Sequence, residues 1–86
     1  MAKKQEPKSL KTVNADKEMK QLGARIRELR KKKGYTNGET FANEHDIHRV
    51  QWNRYEAGKD LYFSTLVKII KVLEVSVDEF FEKGFN

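Results

Sequence analysis

At 86 residues the chain is long enough for one small domain with a modest core, and the lack of cysteine excludes a disulfide scaffold and a thiolate zinc site. No apolar run approaches the length of a membrane span, and the polar start lacks the apolar stretch of a signal peptide, so a cytoplasmic protein with no membrane partner is expected. The formal net charge of +5 is unevenly divided: residues 1–33 hold twelve Lys or Arg against four acids, residues 34–86 six against nine, which places an anionic partner near the first third.

Residues 1–13, MAKKQEPKSLKTV, carry the single proline, four lysines and few apolar side chains, and read as a disordered basic arm ahead of a folded domain at 14–86. Such an arm is either a solvated tail or a strand that follows phosphates. Asn14 is the expected N-cap of a first helix over about 15–33, with Asp16 and Glu18 in its first turn. Met19, Leu22, Ile26 and Leu29 recur at helical spacing as one apolar stripe, the run Arg30–Lys33 sits in the last turn, and Gly34 supplies a left-handed stop. Within that helix, Gly23 marks the close approach of another helix.

Thr36 and Glu39 have the form of a capping box, with Thr36 as the cap of a second helix that turns Phe41 and Ala42 inward and ends near His45. Asp46 occupies a tight turn that needs left-handed geometry, and Ile47 plugs the core. A third helix follows over about 48–56, capped poorly by His48. Trp52 is its core residue, with Tyr55 beside it and Val50 partly exposed; His48, Arg49, Gln51, Asn53 and Arg54 then form an outward row. Beyond Gly58, Lys59 and Asp60 make an exposed loop and Ser64 is the expected cap of a fourth helix. Leu66, Val67, Ile69, Ile70 and Leu73 give that helix a broad apolar face. A second capping box, Ser76 with Glu79, opens a short fifth helix with Phe80 and Phe81, ended by Gly84. The expected fold is all-α with five helices.

The pieces LGARIRELRKKKG, YT, FA, DIHRVQWNRYEAG and LVKIIKVLEVSVDEFF, in this order between about Leu22 and Phe81, resemble the Cro/Xre-type helix-turn-helix family, the lambda-repressor-like domains. Departures are visible. Asn37 stands where Gln usually follows the Thr, one extra residue separates Thr36 from Ala42, Asp46 replaces the common turn Gly, and His48 replaces the common Ser. The loop after Gly58 lacks the usual Pro and is about one residue short. The resemblance implies a DNA-binding helix-turn-helix over about 36–57 whose second helix enters the major groove of double-stranded DNA. Position by position it makes His48, Arg49, Val50, Asn53 and Arg54 base-facing, with Gln51 alternating between base and backbone. The chemistry agrees: Arg can bind guanine O6 and N7 as a pair, Gln or Asn can do so with adenine, and Val can meet a thymine methyl. Backbone contacts are expected from Thr36, Asn37 and Lys59, and the resemblance assigns Arg30 and Glu56 to a structural ion pair.

The function so implied is a sequence-specific transcriptional regulator, a repressor by the habit of the family, associated with the nucleoid. A homodimer through the C-terminal helices is the expected assembly, with Phe80, Phe81 and Phe85 as candidates for its surface and one of the two adjacent Phe assigned instead to core filling. A second class is an antitoxin or other protein-interaction module with a toxin or other protein partner, which also binds its own promoter. A third is nonspecific nucleic-acid binding through the basic arm. No cofactor, metal or catalytic residue is expected: the cluster Glu44, His45, Asp46 and His48 lacks a third histidine and straddles a turn, and no nucleophile stands beside a positioned base.

Overall fold

The chain, a computed structural model describing residues 8–86, folds into five helices with no strand among the described residues. They are α1 (Asp16–Lys32), α2 (Gly38–Glu44), α3 (Arg49–Glu56), α4 (Phe63–Val72) and α5 (Val77–Phe81). None is long and apolar enough to cross a membrane. Residues 1–7 of the expected arm lie outside the described residues; residues 8–13 are exposed, with a turn closed by the Thr12 and Val13 N–H groups on the Ser9 carbonyl.

The apolar stripe of α1 turns Leu22, Ile26 and Leu29 into a core completed by Phe41 and Ala42 of α2, Trp52 of α3, and Phe80 of α5. Leu66, Ile69 and Ile70 of α4 and Leu73 beyond it supply the remainder. Trp52 and Phe41 are fully buried, their rings 4.8 Å apart, so the two helices of the turn are joined by aromatic packing. Tyr55 meets the Trp52 ring edge-on at 6.2 Å, and Ile47 is half-buried between the helices.

Helix ends follow local chemistry with three corrections. The N-cap of α1 is Ala15 and not Asn14, which stands one residue earlier and accepts the Asp16 N–H at 2.8 Å. Gly34 (φ +106°) turns the chain away after α1. At α2 the cap is Asn37 rather than Thr36: its side-chain oxygen accepts from the Glu39 N–H at 2.8 Å and the Thr40 N–H at 3.4 Å. The shift has a cause. Arg30 donates to the Tyr35 carbonyl at 2.7 Å, and the Tyr35 ring packs edge-on against Phe41 at 5.0 Å. These contacts hold residue 35 in the connection, so the surplus residue is taken up ahead of α2 instead of inside it. Likewise α4 begins at Phe63 behind Tyr62, not at Ser64, because the short loop brings the Leu66 N–H onto the Tyr62 carbonyl at 3.1 Å. Asp46 adopts the left-handed conformation expected of it (φ 55°), and Ser76 caps α5 by accepting the Glu79 N–H at 3.0 Å.

Arg25, a buried cation on α1, was not singled out by its sequence context. Its Nε donates to the Phe80 carbonyl and its Nη2 to the Glu79 carbonyl, both at 2.7 Å, while Nη1 pairs with Glu28 at 2.7 Å. It thereby serves late carbonyls of α5, a helix whose last carbonyls lack full internal partners, joining the Glu82 N–H, 3.4 Å away, on the Glu79 carbonyl. The hydrogen bond from Arg25 holds the Glu28 carboxyl below its ordinary 4.5, and Lys33 does the same for Glu74 across the α1 and α4 ends.

α1 and α3 cross at glycines on both sides. A Cβ on Gly23 would collide with the Glu56 carbonyl and stand 2.8 Å from the Gly58 nitrogen; one on Gly58 would stand 2.8 Å from the Met19 carbonyl oxygen. Backbone against backbone leaves nothing that can rotate aside. In an open helix interior Gly→Ala stabilises by roughly 1 kcal/mol. Here Gly23→Ala should instead destabilise, by on the order of 1–3 kcal/mol from overpacking, and a thermal melt of the variant reads the sign.

Candidate nucleic-acid interface

The third helix is amphipathic across its short length. Trp52 faces the core, and Arg49, Gln51, Asn53 and Arg54 are exposed on the remaining surface. Val50 is 53% exposed, in line with its expected partial exposure and not with an inward turn. His48 occupies the N-cap position without making a side-chain cap bond, and its side chain is exposed. Arg49, Val50, Asn53 and Arg54 are spaced to share one side of α3, with chemistry suited to base edges in a groove wide enough to admit a helix, whereas Gln51 lies further round, in a hollow lined also by Tyr55, Asp60 and Tyr62.

Eight residues make a helix too short to persist unaided in water. Three restraints hold it: the Trp52 anchor, the glycine crossing with α1, and an ion pair at its end. Arg30 is 4% exposed and Glu56 13%. Arg30 Nε donates to Glu56 Oε2 at 2.7 Å and Nη2 donates to Oε1 at 3.1 Å, a two-pronged contact; the third nitrogen, Nη1, holds the Tyr35 carbonyl. The planar guanidinium suits this double pairing in a way that a lysine ammonium does not.

At the start of α2, Thr36 and Asn37 are exposed and Gly38 is the first helical residue. They border an open groove whose other walls include Arg27 of α1 and Asn53 of α3, with Arg30 and Glu56 also lining it. Arg27 is exposed there; its place on the polar side of α1 gave no sign that it would border the same groove as Asn53. Lys59 is exposed just past the end of α3, where its N–H bonds the Arg54 carbonyl at 3.0 Å. The structure thus brings Thr36, Asn37 and Asn53 around one groove, and leaves Lys59 outside that groove.

The acidic and histidine cluster near the turn does not converge. His45 stacks on Phe41 with ring centroids 4.3 Å apart and places Nδ1 2.9 Å from the Phe41 carbonyl oxygen, whereas His48 is exposed. Across the turn, Glu39 Oε1 of α2 lies 3.8 Å from Arg49 Nη1 of α3, within ion-pair range.

A family model described as helix-turn-helix matches residues 26–80, from Ile26 in α1 to Phe80 in α5. No curated protein and no solved structure matches the chain.

If the clamp at the end of α3 is a stabilising contact, removing one partner should strand the other. Glu56→Ala leaves a buried guanidinium without its counter-charge and is expected to lose on the order of 3–5 kcal/mol, far more than an exposed pair would. A melt indistinguishable from that of the native chain would refute the clamp.

Proposed function

From the premise that the chain belongs to the lambda-repressor-like helix-turn-helix family of DNA-binding regulators, we propose that it is a sequence-specific transcriptional repressor that reads the major groove of double-stranded DNA with α3. The observation that carries the proposal is the division of α3 into a buried Trp52 side and an exposed surface bearing Arg49, Gln51, Asn53 and Arg54. In this reading His48, Arg49 and Val50 at the N-terminal end of the helix enter deepest, as recognition helices of this motif present their N-terminal residues to base edges. Asn53 and Arg54 follow one turn later, and Gln51 alternates between base and backbone. Thr36, Asn37 and Lys59 fix the height of the helix on the phosphates, and carry no sequence information themselves.

The protein acts as a homodimer, with two copies of α3 in half-sites roughly 34–36 Å apart. Support for this comes from the C-terminal end. Phe80 fills the core, but Phe81 is 41% exposed and Val77 45% exposed. The Phe81 ring lies 5.1 Å from that of Phe85, which is half-buried against the core, so Phe81 and Val77 carry the exposed apolar area there. The same surface supports a second reading, in which a partner protein such as a toxin takes the place of the second copy and the helix-turn-helix controls the promoter of the pair. Size measurement at micromolar concentration separates the two: a dimer is expected, and monomer alone would exclude a constitutive homodimer.

Selection of bound duplexes from a random pool tests the principal reading. Arg49→Ala should weaken binding to the selected sequence by about 1–3 kcal/mol and relax preference at one base pair. Lys59→Ala should weaken selected and random duplexes alike and lower the salt dependence by about one phosphate contact. An unchanged selected sequence with Arg49→Ala would remove the major-groove assignment of α3.

A further inference from the structure

The contact between Glu39 and Arg49 sets a carboxylate at the edge of a surface otherwise built for an anion. Both side chains are more than half exposed, and the 3.8 Å separation is that of an ion pair and not of a direct hydrogen bond. Its position follows from the two helix starts. Asn37 caps α2, so Glu39 lies in the first turn of α2, where a carboxylate is favoured. α3 begins with Arg49, has no acid in its first turn and gains no side-chain cap bond from His48. The positive end of α3 therefore carries a cation, and the nearest compensation comes from the neighbouring helix.

We propose that Glu39 is a specificity-determining residue, which positions Arg49 and penalises every duplex that does not give Arg49 a matching pair of acceptors. The inference rests on the reading of α3 as the recognition helix. Its physical basis is a competition. A free arginine at the DNA surface gains from any phosphate, because that attraction is independent of sequence. An arginine already paired with a carboxylate gains less from a phosphate, by the small worth of an exposed pair, and the carboxylate is itself repelled by the backbone, which adds to the penalty. A guanine offers O6 and N7 together, a bidentate contact that offsets both losses. Discrimination thus arises from a repulsive element beside an attractive one.

The test compares the duplex selected by the native chain with a scrambled duplex of equal length, using Glu39→Gln, which keeps the size and hydrogen-bonding capacity of the side chain and removes its charge. Affinity for the scrambled duplex should rise about three- to tenfold, as expected for loss of one like charge near phosphates. Its salt slope should steepen by up to about 0.9, one added phosphate contact from the released Arg49. Affinity for the selected duplex should rise less, so the ratio of the two falls. In an Arg49→Ala background, Glu39→Gln should leave the ratio unchanged. A ratio unaffected by Glu39→Gln with Arg49 present overturns the proposal and makes Glu39 an ordinary surface charge, and an equal fall in the Arg49→Ala background overturns it too, because Glu39 would then act without Arg49. Should the native chain select no duplex over random sequence, the recognition-helix reading fails and the proposal with it; a selected duplex with an unaltered ratio overturns the proposal alone.

Discussion

One guanidinium ties together three segments that the chain separates. Arg30 leaves the last turn of α1, grips both carboxylate oxygens of Glu56 at the end of α3, and takes the Tyr35 carbonyl from the connection into α2. Each contact constrains a different quantity: the distance between α1 and α3, the angle at which α3 ends, and the residue at which α2 can begin. The last is the least obvious. With Tyr35 held back, the helix opens at Asn37 and Gly38, which sets the register that turns Phe41 and Ala42 into the core. A buried ion pair is weak evidence of net stabilisation, since desolvation opposes it; its value here is that the arrangement has one satisfactory geometry.

The remaining restraints make sense around that clamp. Trp52 supplies apolar burial for an eight-residue helix that has little else to bury, and the glycines at the α1 crossing let the backbones meet closely enough for the carboxylate to reach the arginine. The cost is visible at the indole nitrogen: buried Trp52 Nε1 has no hydrogen-bond partner among the described residues. A large anchor on one side of α3 is what frees the other side for polar groups, and the same helix could not carry both roles if it were hydrophobic all round.

Much of this was legible in the residues. Periodicity located the core side of α1 through α4, Gly23 announced a close approach, and Asp46 announced a left-handed turn, because each of these signals is a local steric or apolar requirement that tertiary contacts do not overrule; in the short α5 it did not choose between Phe80, which is buried, and Phe81, which is exposed. Caps were less secure. Thr36 and Asn37 are both competent acceptors, and the choice between them depends on Arg30, which is close in sequence but whose hold on Tyr35 is a three-dimensional matter. Ser64 failed for a related reason, since the loop after Gly58 is short enough to start the helix before the capping residue arrives. Arg25 was invisible: an arginine on a charged helix looks like surface, and only the distant α5 carbonyls make it interior. Of the candidate site, the outward row on α3 could be read from spacing, whereas the groove that brings Arg27 near Asn53 could not, because it lies between helices whose packing angle leaves no trace in composition.

The Arg25 contact also bears on how the molecule comes into being. Its acceptors, the Glu79 and Phe80 carbonyls, lie more than fifty residues further along the chain. Without α5 in place, the buried seat of Arg25 would hold a charge with no carbonyl to receive it. Phe80 fills the core with its ring while its carbonyl secures Arg25, so the docking of a five-residue helix and the burial of a cation on α1 are a single event.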